Sequence, residues 1–281
     1  MNITDKNIKT ILSYFKGINI TADDDINNDN YLDFFTFAPD VQKKIKWTNS
    51  GVSKLVFNFS TFPDIVVKIP FTSYSCSKTE SRYTYIKTTD GHYIAVTNSA
   101  YYLSESFENT YLSAPVGMEK EIQRCWDYCE VETLLYQYAE QHNSEQFLAE
   151  TRLIGFIGED NDYPVYVQDI ARIYDHCGEL CYNLRNAYDI NKSRKFYSLE
   201  EKSFDKMVED YFILQGKKNV IYTFYSLYKA WAIDFYLYYG LRELLQLCVF
   251  IANSGISDLH SENIGYINHR PALIDYASFN S

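Results

Sequence analysis

Apolar residues alternate in the first part of this chain and recur at helical spacing in the second, and that change of period most constrains the fold. Residues 54–59 and 64–69 are rich in β-branched and aromatic side chains. A short turn containing Pro63 separates them, which predicts a hairpin. Residues 82–87 and 92–97 flank the turn dipeptide Asp90-Gly91 and predict a second hairpin. From 118 to about 142 the pattern turns helical, with Ile122, Trp126, Cys129, Thr133 and Tyr136 on one stripe. Strands are expected at 152–157 and 163–168. Beyond Ala171 nearly everything reads as helix, most clearly 199–214, 219–238 and 240–254, the last stopped by Ser254-Gly255. Short strands return at 263–266 and 272–274. The class is α+β, with a β-rich part preceding a helical one.

With 281 residues, 46% of them apolar, the chain is long enough for one large domain or two lobes. The expected segments are an N-terminal helical or irregular extension over 1–45, a β-rich lobe over 46–170 with a hairpin insertion at 71–117, and a helical lobe over 171–281. A net charge of −11 argues against nucleic acid as a partner, because phosphate neutralisation needs clustered Lys and Arg. Two of the cysteine pairs, Cys125/Cys129 and Cys177/Cys181, are spaced C-x-x-x-C, which suits a helix face better than a zinc knuckle, so buried reduced thiols are expected. The start of the chain is polar with charges of both signs, and the apolar stretch 244–252 is too short to span a bilayer. No membrane association and a cytoplasmic location are expected, the host cytosol if the chain is an effector.

Three groups of residues carry chemistry. The first is Ile256-Ser257-Asp258-Leu259-His260-Ser261-Glu262-Asn263, followed by Leu273-Ile274-Asp275-Tyr276-Ala277. Asp258 precedes Asn263 by five positions, and Asp275 follows Asn263 by twelve. The second is Ile65-Val66-Val67-Lys68-Ile69, a lysine in an apolar strand whose side chain alternates to the face opposite Val67 and Ile69. The third is Asn49-Ser50-Gly51-Val52-Ser53-Lys54, a small-residue stretch ahead of the first hairpin.

Together these resemble the catalytic loop, metal loop, phosphate lysine and glycine loop of the protein-kinase-like superfamily, whose patterns read H-R-D-x-x-x-x-N, D-F-G, V-A-I-K and G-x-G-x-x-G. The resemblance covers roughly 47–70, 119–171 and 240–279 and implies a bilobal fold with a β-rich N-lobe and a helical C-lobe. It implies ATP and Mg2+ as cofactors, Asp258 meeting the incoming hydroxyl, and Asn263 and Asp275 as magnesium ligands. Lys68 would contact the phosphates, and Gly51 and Val52 would cover the nucleotide. Phosphoryl transfer depends on positioning and charge neutralisation, which these residue types supply. The lysine's partner in that family is a glutamate on the following helix. Glu130 and Glu132 flank the apolar stripe equally, and Glu132 is preferred because Leu135 and Tyr136 follow it as the family pattern has.

Four departures qualify the resemblance. Ile256-Ser257 replaces the H-R pair, so control through an activation-loop phosphate is not expected. His260 stands where protein kinases have lysine; histidine there is similar to aminoglycoside- and choline-kinase-like relatives, where it contacts the transferring phosphate. D-F-G reads Asp275-Tyr276-Ala277, and six residues follow Asp275, so no activation segment is expected in this chain. The resemblance implies an ATP- and Mg-dependent phosphotransferase acting on a protein hydroxyl. The alternatives are a pseudokinase acting as a binding scaffold, a small-molecule kinase and a nucleotidyl transferase.

Overall fold

The computed structural model describes residues 3–16, 37–50, 54–70, 83–87, 93–97, 115, 117–118, 121–122, 128–158, 163–174, 201–256 and 259–277. The protein is of mixed α and β structure and divides into two compact units. The first comprises residues 1–112, 117–136 and 150–170, and the second 113–116, 137–149 and 171–281.

Along the chain the first unit holds helix α1 (Asp5–Tyr14), the single turn α2 (Pro39–Gln42) and strands β1 (Ile45–Ser50), β2 (Lys54–Phe59) and β3 (Ile65–Pro70). The paired strands β4 (Tyr83–Lys87) and β5 (Tyr93–Thr97) follow, then helix α3 (Tyr128–Gln141), β6 (Thr151–Ile157) and β7 (Tyr163–Asp169). The last residues of α3 pass into the second unit. Five strands form one antiparallel sheet in the order β1-β2-β3-β7-β6, and β4 and β5 form a two-stranded sheet of their own. The Asp90-Gly91 turn expected between β4 and β5 lies outside the described residues.

The five-stranded sheet has two unlike faces because side chains alternate along each strand. Leu55, Phe57, Phe59, Val67, Ile69, Val165 and Val167 share one face and form a core with Ile11, Tyr14 and Phe15 of the N-terminal segment and with Phe37 and Val41. Phe57 meets Phe15 and Phe37 edge-on, with ring centroids 5.8 and 5.5 Å apart. Thr4 caps α1 by accepting from the Asn7 N–H, and Asp5 sits in the first turn, where the helix dipole favours an acid. A Cβ at Gly155 would lie 2.8 Å from Leu12 Cδ1, so glycine lets α1 settle on β6. The opposite face carries Lys54, Asn58, Lys68 and Gln168, all buried.

The second unit holds β8 (Arg172–Ile173), α4 (Glu201–Leu214), α5 (Ile221–Ser226), α6 (Lys229–Tyr239), α7 (Leu241–Ser254), β9 (Ile264–Ile267) and β10 (Arg270–Leu273). The three strands form a sheet in the order β10-β9-β8. Two expectations are corrected here. Residues 172–173 are strand, not helix, because β9 offers them a partner: Arg172 pairs with Tyr266 and Ile173 with Gly265. The single helix expected over 219–238 is two, α5 and α6, separated by extended backbone at Leu227 and Tyr228 (ψ 143° and 123°). No Pro or Gly marks that break. Leu227 is buried there, a packing demand that overrides local helical preference. Helix α7 ends at Gly255 in the left-handed conformation, at φ 65°, as the Ser-Gly stop predicts. Among the described residues no helix is long and apolar enough to cross a membrane.

Candidate functional site

On the polar face of the first unit's sheet, Lys68 stands opposite Val56 on β2 and Tyr166 on β7. Its ammonium donates to Glu132 Oε2 at 3.1 Å and to Oε1 at 3.4 Å. Lys54 Nζ donates to the same Oε1 at 3.2 Å. The Thr151 hydroxyl donates to Glu132 Oε2 at 2.6 Å and accepts from Gln168 Nε2 at 2.8 Å. Five side chains from β2, β3, α3, β6 and β7 thus form one buried network around a carboxylate that is 0% exposed. A buried carboxylate is tolerable only with this much charge-assisted hydrogen bonding. In turn it fixes the position of two ammonium groups on one face of the sheet. The carboxylate that meets Lys68 is Glu132; Glu130, its neighbour on α3, is only half-buried.

In the second unit, β9 and β10 form an antiparallel hairpin in which Ile264 pairs with Leu273. The Ile274 N–H donates to the Asn263 carbonyl at 2.9 Å, one step beyond that pair. Asn263 and Asp275 therefore flank the open end of the hairpin on neighbouring backbone positions. Asn263 is buried and Asp275 half-buried. Among the described residues no group of three or more His, Cys, Asp or Glu side chains could hold a metal ion. The Asn263 and Asp275 donors are oxygen only, a set that fits magnesium taking its remaining ligands from phosphate and water. It does not fit a structural zinc. His260 is exposed, and the Glu262 N–H donates to its Nδ1 at 3.2 Å, which leaves the proton of the neutral ring on Nε2. Asp258, Gly51 and Val52 lie outside the described residues.

Side-chain hydrogen bonds, most of them to backbone carbonyls, hold this hairpin. Trp231 Nε1 donates to the Gly265 carbonyl at 3.1 Å, and Tyr266 donates to Asp234 Oδ2 at 2.8 Å. Tyr276 is buried and donates to the Ala149 carbonyl at 2.8 Å. Arg270 Nη1 and the Tyr239 hydroxyl both donate to the Gln146 carbonyl, at 2.6 and 2.9 Å. Gly265 is required: a Cβ there would lie 2.3 Å from the Arg172 carbonyl oxygen and 2.6 Å from Ile274 Cδ1. The tyrosine-rich composition has a local use here, as donors tying side chain to backbone.

Lys54 ends the small-residue stretch 49–54 without a role of its own in the sequence, and Thr151 and Gln168 are not singled out there at all. The alternation of β2 was the available signal, since it puts Lys54, Val56 and Asn58 on the face opposite Leu55, Phe57 and Phe59. Cys129 and Cys248 are buried thiols, and burial pushes the Cys248 thiol well up from its ordinary range. No family model, curated protein or solved structure matches the chain.

Proposed function

We propose that this chain is an ATP- and magnesium-dependent phosphotransferase of the protein-kinase-like superfamily, with a β-rich N-lobe and a helical C-lobe, acting on a protein hydroxyl. The observation that carries the reading is the buried pair between Lys68 on a central strand and Glu132 on the helix that follows. A lysine oriented by a helical glutamate is what a phosphate-gripping group needs, because its charge and direction are settled before the nucleotide arrives. The backbone neighbourhood of Asn263 and Asp275 supports the second half of the reading, two oxygen donors for magnesium.

The residues divide the work by chemistry. Lys68 offers N–H donors to phosphate oxygens, with Glu132, Thr151 and Gln168 keeping it in position. Asn263 and Asp275 would hold magnesium, which when bound neutralises phosphate charge. Asp258 accepts the proton of the acceptor hydroxyl, and the exposed His260 offers Nε2–H to the transferring group. Gly51 and Val52 cover the nucleotide.

Calorimetric titration of Mg-ATP, with γ-labelled nucleotide followed in parallel, tests the proposal. Magnesium-dependent binding is expected, weakened roughly tenfold or more by Lys68→Ala and by Asp275→Ala. Label should pass to protein in the wild-type chain and not in Asp258→Ala. Binding without transfer would make the chain a nucleotide-binding scaffold, and no binding at all would overturn the proposal.

A further inference from the structure

We infer that Lys54 is a second phosphate-contacting lysine, and that the pair Lys54/Lys68 selects for a polyphosphate chain over a monophosphate. This rests on the nucleotide-binding reading above and extends it to a residue that no kinase-like motif assigns. Lys54 is the first residue of β2, immediately after the 51–53 connection from β1, and pairs with Pro70 across the β2–β3 ladder. Lys68 lies two positions before Pro70, so both ammonium groups rise from the same face of the sheet.

Both groups contact one oxygen, Glu132 Oε1, at 3.2 and 3.4 Å. Their separation therefore cannot exceed the sum of those two distances, and one di- or triphosphate can touch both. Both lysines are buried, at 5% and 3% exposure, where two like charges this close repel strongly. A sheet that needed only one lysine to orient against Glu132 could place an apolar residue at position 54 and avoid that repulsion. Two cations gathered by a single carboxylate are suited to a ligand carrying more than one negative phosphate. A single phosphate can touch both but brings less negative charge and fewer oxygens to share between them, so it gains less.

The experiment measures calorimetric Kd values for ATP, ADP, AMP and adenosine in saturating magnesium, for the wild-type chain, Lys54→Met and Lys54→Arg. Lys54→Met is expected to weaken ATP and ADP roughly tenfold or more while changing adenosine less than about threefold. Lys54→Arg, which keeps the charge, should restore most of the ATP affinity. On the wild-type chain alone, inorganic tripolyphosphate should displace ATP, and inorganic phosphate at the same concentration should not. That arm stands even if Lys54→Met does not fold. Equal loss of ATP and adenosine affinity in Lys54→Met, or equal displacement by both inorganic anions, overturns the role of Lys54 while leaving nucleotide binding intact. A wild-type chain that binds none of the four ligands overturns the nucleotide reading as well.

Discussion

The two units hold their candidate residues by different physics. In the first, Lys54, Lys68 and Glu132 are ionised groups gathered out of water, and each is tolerable there because of the others. In the second, the hairpin bearing Asn263 and Asp275 is fixed mostly by neutral donors, Trp231, Tyr239 and Tyr276, aimed at backbone carbonyls, with Arg270 and Asp234 each bonded to a neutral partner. An ionic network fails when a partner is lost, because what remains is a buried charge. A neutral frame fails when shape changes, because its bonds depend on strands lying at fixed distances. The comparison predicts that single deletions damage the first unit most and single additions the second.

Glu132→Ala should have the largest effect. It removes the only partner of the Lys68 ammonium among the described residues, and breaking a buried pair this way costs about 3–5 kcal/mol. Urea denaturation of wild type and variant measures this. A loss below about 1 kcal/mol would mean that the network is hydrated and the contrast between the units is false.

Gly265→Ala comes next. One methyl group must displace either the Arg172 carbonyl or Ile274, at a cost of about 1–3 kcal/mol. Magnesium-dependent nucleotide affinity should fall with it, because β9 leads directly from Asn263. Retention of wild-type thermal midpoint and affinity would show that the hairpin yields easily.

The smallest effect is expected at Tyr225, which takes part in neither network. Its hydroxyl is hydrogen-bonded to Glu209, which, with smaller help from burial and from Asp205, raises the phenol from 10.0 to about 12. The protonated phenol is favoured in the folded state. Its stabilisation is therefore complete below about pH 10 and lost as the pH rises through 12. Tyr225 is largely exposed, so the contribution should stay under about 1 kcal/mol. Stability of Tyr225→Phe and wild type, measured between pH 9 and roughly 12, should converge at the alkaline end.

Much of the sheet was legible because alternation is a local signal. Val67 and Ile69 against Lys68 announce which face is apolar before any partner strand is known. Periodicity alone does not choose between Glu130 and Glu132, and the preference for Glu132 rests on the family pattern alone. Both flank the stripe of α3 equally, and only the approach of that helix to β3 decides which carboxylate reaches the lysine. Lys54 reads as the first residue of a strand and the last of a small-residue stretch, and its burial depends on a register that no local pattern supplies. The break at Leu227 was hidden for a related reason, since a buried leucine reads equally well inside a helix and between two. On the hairpin, Asn263 and Asp275 are singled out by spacing, whereas Trp231 and Tyr239 are not, because hydrogen bonds to carbonyls leave no sequence trace.

The seat of α1 against β6 carries a consequence in time. Leu12 and its counterpart Gly155 are 143 residues apart in sequence. At about 5–20 residues per second, a ribosome takes roughly 7 to 30 s to make the intervening chain. Through that interval Ile11, Tyr14 and Phe15 have no completed sheet to cover, and the core they close waits for β7. Helix α1 is thus made well before the sheet that buries it, and this unit completes its core late.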